Sequence, residues 1–117
     1  MEKLFDGEYR LMEVLWDSGP VNSTELVHLC EQRLEWNKST TYTVLRKLKH
    51  KGAVCHEDAT VTPVLTRERA IREEGQRLED WAGGLTNFMV AFMSGRKLTE
   101  QEALELKRLI DEQMGEG

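Results

Sequence analysis

Long apolar runs are missing from this 117-residue sequence. No stretch approaches the ~20 apolar residues that span a bilayer, which excludes a conventional transmembrane helix. The opening MEKLFDGEYR lacks the charged, then apolar, then small-residue layout of a signal peptide, so a cytoplasmic protein without membrane association of its own is expected. Cysteine is scarce too. Cys30 and Cys55 stand alone with no CxxC, which excludes a disulfide framework and a thiolate zinc site; both read as small buried apolar side chains. His28, His50 and His56 are scattered, and no HExxH, GxSxG or Gly-rich phosphate loop occurs. His28 reads as a partly exposed surface residue. No enzyme, metal site or cofactor is expected from such a set. Apolar residues are only 39% of the chain and charged ones 32%, a balance that suits solvated helices more than an all-β sandwich. The length fits one ordinary domain, or a small domain with a helical appendage.

What is present is unevenly placed charge. The chain is −5 overall, yet residues 36–52, WNKSTTYTVLRKLKHKG, hold Lys38, Arg46, Lys47, Lys49 and Lys51 and no acid. The polarity is local, and local fields steer ligands.

Along the chain, Asp6 is a candidate cap for a first helix, with Tyr9, Met12, Leu15 and Trp16 as its apolar stripe and Gly19-Pro20 as its stop. Asn22, three residues before Glu25, predicts a capping-box start for a second helix over 23–33, with Leu26, Leu29 and Cys30 inward. Asn37 predicts the cap of a third helix over 38–51, ended by Gly52, with Thr41, Val44, Leu45 and Leu48 on its apolar side. The period then turns extended. AVCHE and TVTPVL flank Asp58-Ala59 and predict a two-stranded hairpin, with Pro63 at an edge or near an end. Three helices and a ribbon are the layout of a winged helix-turn-helix.

Thr66 is a candidate cap for a fourth helix over 67–82, whose first half, RERAIREEGQR, is almost wholly polar. Leu78, Trp81, Leu85, Phe88 and Phe92 then recur at spacings of three and four, a seam for another helix, with Met89 and Met93 widening it. Gly83-Gly84 bends or restarts the helix, and Ser94-Gly95 breaks it. Thr99 and Glu102 form a capping box for a last helix over 100–114, with Ala103, Leu106, Leu109, Ile110 and Met114 on its apolar side. The expected fold is therefore mainly α with a small β-hairpin: a winged-helix domain over residues 1–65 and a helical dimerisation region over 66–117.

With Thr41 toward the core, a turn of ~100° per residue points Ser39, Thr43, Arg46 and His50 outward and sets Thr40, Tyr42 and Lys47 on the flanks. Short hydroxyls permit close approach to base edges, and Lys or Arg holds phosphates, so this face has the chemistry of a recognition helix. Ser39, Thr40 and Thr43 are candidate base-edge or nearby phosphate contacts. Tyr42, Arg46, Lys47 and Lys38 are candidate backbone contacts. Trp36 reads as packing.

The stretches FDGEYRLMEVLW, GPVNSTEL and WNKSTTYTVLRKLKHKGAV resemble the penicillinase-repressor family of bacterial winged-helix transcriptional regulators, which includes repressors of β-lactamase and methicillin-resistance operons and copper-responsive relatives. The most specific piece is STTYTVLRKLKHKG. TPVLTRERA resembles the end of the wing and the start of the next helix. GGLTNFMVAFMSGRKLTEQEALELKRLIDE resembles the family's dimerisation region, so the likeness spans nearly the whole chain. It implies a homodimer that binds a palindromic double-stranded DNA operator and represses transcription, of antibiotic-resistance-type genes in some relatives. Dimerisation would rest on Leu78, Trp81, Leu85, Phe88, Met89, Phe92, Leu106, Leu109 and Ile110. In relatives that answer β-lactams, the signal of an upstream membrane sensor-protease ends in cleavage of an Asn-Phe bond; its place here is Ala91-Phe92, where the Phe matches and the Asn does not. The clustered cysteines of copper-sensing relatives have no counterpart near this C-terminus. Family wings are often basic at the tip. Here the tip is His56-Glu57-Asp58-Ala59-Thr60, whose acids repel phosphate and shift affinity onto the third helix. The competing reading is a winged-helix protein-interaction module without DNA binding, since fold does not fix function.

Overall fold

Phe5, not Asp6, is the N-cap of the first helix, α1 (Asp6–Ser18). The reason is Glu8: its carboxylate accepts the Phe5 amide at 2.7 Å, so the helix starts one residue earlier and Asp6 falls in the first turn, where an acid suits the dipole. The computed structural model describes residues 1–115 of the chain. After α1 come β1 (Val21–Asn22), α2 (Ser23–Leu34), α3 (Lys38–His50), β2 (Val54–Glu57), β3 (Thr60–Pro63), α4 (Arg67–Ala82), α5 (Leu85–Met93) and α6 (Glu100–Met114). The architecture is mainly helical with a small antiparallel sheet, that of a winged helix-turn-helix followed by further helices.

The chain forms two compact units, the first Met1–Arg77 and the second beginning at Leu78. In the first, α1 presents a broader apolar face than its sequence stripe indicates. Leu11, Met12, Val14 and Leu15 are all fully buried, with Tyr9 and Trp16 packed half-buried against them. Leu26 and Cys30 of α2, Leu45 and Leu48 of α3, and Val54, Val61 and Leu65 complete one core. Each Leu-sized side chain taken fully from water stabilises by about 1.5–3 kcal/mol.

The caps explain the helix limits. Asn22 Oδ1 accepts the Thr24 amide at 2.8 Å, the second helical amide and not the third that a full box would use. Asn37 Oδ1 accepts the Thr40 amide at 2.8 Å. α3 closes with the Ala53 amide on the Leu48 carbonyl and the Gly52 amide on the Lys49 carbonyl, both at 3.0 Å. That Schellman turn needs the φ of +79° that glycine adopts without cost.

The hairpin is joined by a third strand. The sheet order is β1-β3-β2, with Val21 opposite Val61 and Asn22 opposite Thr60. A two-residue strand carries no alternation to read, and Asn22 serves as strand and cap at once. Asp58 and Ala59 form the turn with φ of 51° and 63°, the twist that matches paired strands. Pro63 ends β3 opposite Val54. Cys55 is only half-buried because β2 is an edge strand, whereas Cys30 is buried as expected.

Only Ala70 of α4 is buried. Polar bonds hold its first turns to α1 instead. Arg67 pairs with Glu13 at 2.7 Å and lies 5.2 Å over the Trp16 ring, and the Tyr9 hydroxyl donates to Glu74 at 3.2 Å. Burial and the neighbouring Glu74 carboxylate push the Tyr9 phenol up from its ordinary pKa.

The second unit has a different character. No residue of α5 or α6 is buried. Trp81 is 88% exposed, and Leu85, Phe92, Leu109 and Ile110 are exposed as well. The Phe88 and Phe92 rings stack at 5.5 Å, and the Arg96 guanidinium lies 4.3 Å over Phe92. The Thr99–Glu102 capping box forms in full, with bonds of 3.0 and 2.9 Å. Among the described residues no helix is long and apolar enough to cross a membrane.

Candidate nucleic-acid interface

α3 owes its two-sided character to the periodicity of KSTTYTVLRKLKH. Thr41, Leu45 and Leu48 are buried, and Val44 packs half-buried beside them. The Thr41 hydroxyl, which would be costly to bury unpaired, donates to the Asn37 carbonyl at 3.1 Å. Helical geometry then leaves Ser39, Thr43, Arg46 and His50 exposed on the far side. Lys38, Thr40, Lys47 and Lys49 are exposed beside them, and Tyr42 is half-buried with the Lys38 ammonium 6.0 Å from its ring centre.

The face therefore brings together the residues its sequence singled out, with hydroxyls toward the N-terminal end and cations further along. The Thr40 amide is held by the Asn37 cap, so Thr40 can offer its hydroxyl to a ligand but not its backbone.

α2 leads into α3 through Glu35, which caps it in the left-handed region at φ 58°, then Trp36 and Asn37. The Trp36 amide donates to the Cys30 carbonyl at 3.3 Å, and its ring packs half-buried against the core. It is a packing residue, as its sequence position suggests. The Cys30 thiol is buried, and burial pushes it up from its ordinary pKa against the opposing pull of Thr41 and Arg33.

Lys51 departs from the basic face. Its side chain is only 11% exposed, and its ammonium pairs with Glu8 Oε1 at 2.7 Å, donates to the Lys3 carbonyl at 2.6 Å and lies 4.6 Å over the Phe5 ring. The cations left on the surface of α3 are Lys38, Arg46, Lys47 and Lys49. Sequence reasoning missed both partners. A Glu in the first turn of α1 reads as a solvated capping acid, yet Glu8 is 2% exposed.

At the wing, Glu57, Asp58, Ala59 and Thr60 are exposed and His56 is half-buried, so the tip presents two acids to solvent. Among the described residues no group of His, Cys, Asp and Glu is placed to hold a metal ion.

The chain is similar to known proteins. The penicillinase repressor of Bacillus licheniformis is 23% identical over 116 residues, covering 94% of this chain and 91% of that protein. An uncharacterised 16.5 kDa protein of Latilactobacillus sakei is 27% identical over 111 residues, covering 88% of this chain and 75% of its own. The solution structure of the DNA-binding domain of the repressor BlaI superposes with a TM-score of 0.53 at 26% identity, covering 59% of this chain and 93% of that one. The penicillinase repressor family model matches residues 5–112, from the cap of α1 to the last turns of α6. With that span of matched sequence on a winged helix whose α3 turns outward, the chain belongs to the penicillinase repressor family.

Proposed function

We propose that this chain, a DNA-binding transcriptional repressor by family, acts as a cytoplasmic homodimer that lays two copies of α3 into successive major-groove turns of a palindromic operator. The observation that carries the reading is the exposed face of α3, with Ser39, Thr43 and Arg46 outward while Thr41, Leu45 and Leu48 are buried. Ser39, Thr40 and Thr43 read base edges or nearby phosphates. Lys38, Tyr42, Arg46 and Lys47 hold the backbone. The acidic wing contributes little, because Glu57 and Asp58 are repelled by phosphate.

Residues 1–65 carry the DNA contacts and residues 66–117 the self-association. A single module with so few exposed cations binds weakly. Pairing makes the second contact intramolecular, which raises avidity by about 10²–10⁴. The exposed apolar side chains from Leu78 onward support this, since a surface of that kind is unfavourable in a lone chain. Leu78, Trp81, Leu85, Phe88, Met89 and Phe92, with Leu106, Leu109 and Ile110, are assigned to the dimer. Cleavage at Ala91-Phe92 after a signal from a membrane sensor-protease would cut α5 inside that surface and release DNA; both residues are exposed.

The test is duplex binding by the purified chain at about 50 and 200 mM salt, where a protein holding several phosphates loses affinity steeply. Arg46→Ala should weaken binding to all duplexes and lower the salt slope by about one. Thr43→Val should change the preference between duplexes. Binding with no salt dependence, or none at all, would favour a protein-interaction module. A monomer at working concentration would remove the two-module mechanism.

A further inference from the structure

The first turn of α1 touches the residue that leads into the α3 cap and the residue that closes α3. Gly7 lies against the Trp36 ring, whose Cζ2 is 3.8 Å from where a Cβ on residue 7 would stand, and Trp36 directly precedes the α3 cap. Its neighbour Glu8 holds Lys51, the residue that closes α3, at 2.7 Å. The Lys3 carbonyl and the Phe5 ring enclose the same ammonium. On the other flank of this end, the Ala53 carbonyl accepts the amides of Val64 and Leu65 at 2.9 and 3.0 Å.

We infer that Glu8 and Lys51 are positioning residues for sequence readout: the buried pair fixes the rotation of α3 about its own axis, and so which side chains meet the base edges. This deepens the DNA-binding reading above and rests on it. The chemistry favours a clamp over a phosphate contact. Lys51 spends its ammonium inside the protein, whereas Lys38, Arg46, Lys47 and Lys49 leave theirs in solvent. Glu8 Oε1 takes two donors, Lys51 and the Phe5 amide, while Oε2 is buried with no hydrogen-bond donor among the described residues. Among the described residues Lys51 is the cation paired with that carboxylate. Without it, a buried charge is left uncompensated and the first turn of α1 must shift to hydrate it. Such a shift moves the support of α3 at both ends. Phosphate contacts on flexible side chains tolerate a small rotation, but hydrogen bonds to base edges do not.

The experiment compares wild type, Lys51→Met, Lys51→Arg, Glu8→Gln and the Lys51→Met/Glu8→Gln pair. Two probes serve: a duplex selected by the wild-type chain from a random library, and a random duplex. Lys51→Met should bind the selected duplex about tenfold more weakly, a loss read directly as Kd, and bind the random duplex as before. Its salt slope should be unchanged. Glu8→Gln, which is nearly isosteric, should lose discrimination in the same way and serves if Lys51→Met fails to fold. The pair should be no worse than either single change, because both remove one interaction. Lys51→Arg keeps the cation and should restore most of the discrimination.

A slope lower by about one for Lys51→Met, with both duplexes weakened equally, would overturn the inference in favour of a direct phosphate contact. A lower melting temperature with an unchanged ratio between the two duplexes would overturn it in favour of a purely structural pair. If wild type selects no duplex at all, the DNA-binding reading itself falls, and this inference with it.

Discussion

The first unit buries most of its large apolar residues, and the second leaves most of its own exposed. Leu11, Met12, Val14 and Leu15 of α1 are each 0% exposed, whereas Trp81 is 88% and Val90 68% exposed. Both stretches have helical apolar spacing, so periodicity alone does not separate them. The difference is what the chain supplies as cover. Residues 1–77 fold three helices, a sheet and the first turns of α4 around one centre, and residues from 78 onward hold helices with no buried residue in α5 or α6. The first unit is complete by itself. The second leaves most of its large apolar side chains in solvent, and the division proposed above, which gives DNA contact to the first and pairing to the second, follows that contrast.

The largest effect should come from removing the displayed aromatics. Trp81→Ala with Phe92→Ala should shift the chain from dimer to monomer in sedimentation and weaken operator binding by about 10²–10⁴, the avidity lost when two modules part. The melting transition of the first unit should stay where it is. An unchanged sedimentation coefficient would break the contrast, because the apolar surface would then serve something other than pairing.

A change inside the first unit should behave in the opposite way. Leu48→Ala opens a cavity in a fully buried site and should cost about 2–5 kcal/mol. Calorimetry should find that loss independent of protein concentration. The transition that reports pairing should instead rise with concentration by mass action.

The two units also differ in how far their sequence discloses them. α6 and α4 have the limits their caps predict, because Thr99 with Glu102 and Thr66 act over three residues. Asn37 and Gly52 mark α3 by equally local chemistry. The outward face of α3 is legible for the same reason, since 100° per residue needs no tertiary information. What escapes is contact at long range. Glu8 and Lys51 are separated by 43 positions, and nothing near either residue distinguishes a buried ion pair from two solvated charges. β1 escapes because it exists only through its pairing with β3. The broad burial of α1 escapes in part for the same reason: Leu11 and Val14 are covered by elements that arrive later in the chain.

A smaller effect should sharpen the division of labour. Glu57→Gln with Asp58→Asn removes two negative charges from the exposed wing tip. Affinity for any duplex should rise a few-fold at low salt, with the gain shrinking as salt screens it. The dimerisation constant should not change, since the wing belongs to the first unit. No gain at low salt would mean that the wing sits clear of the phosphates.

The smallest effect tests the second unit by itself. The Glu102 carboxyl is held below its ordinary pKa, first by the Thr99 amide and then by the Thr99 hydroxyl. A group whose pKa is depressed on folding contributes stability above its unfolded value of about 4.3 and loses it as pH falls through the folded value. The start of α6 should therefore loosen on acidification below the normal carboxylate range and be insensitive to pH near neutrality. Thr99→Ala removes the cap at any pH and should cost about 1 kcal/mol. In Thr99→Ala the acid-dependent part of the loss should shrink, because Glu102 keeps only the amide as donor. Amide exchange across residues 100–104 reads both changes. Equal acid sensitivity in wild type and variant would show that the hydroxyl contributes nothing to the depressed carboxyl, and that the backbone amide alone holds the box.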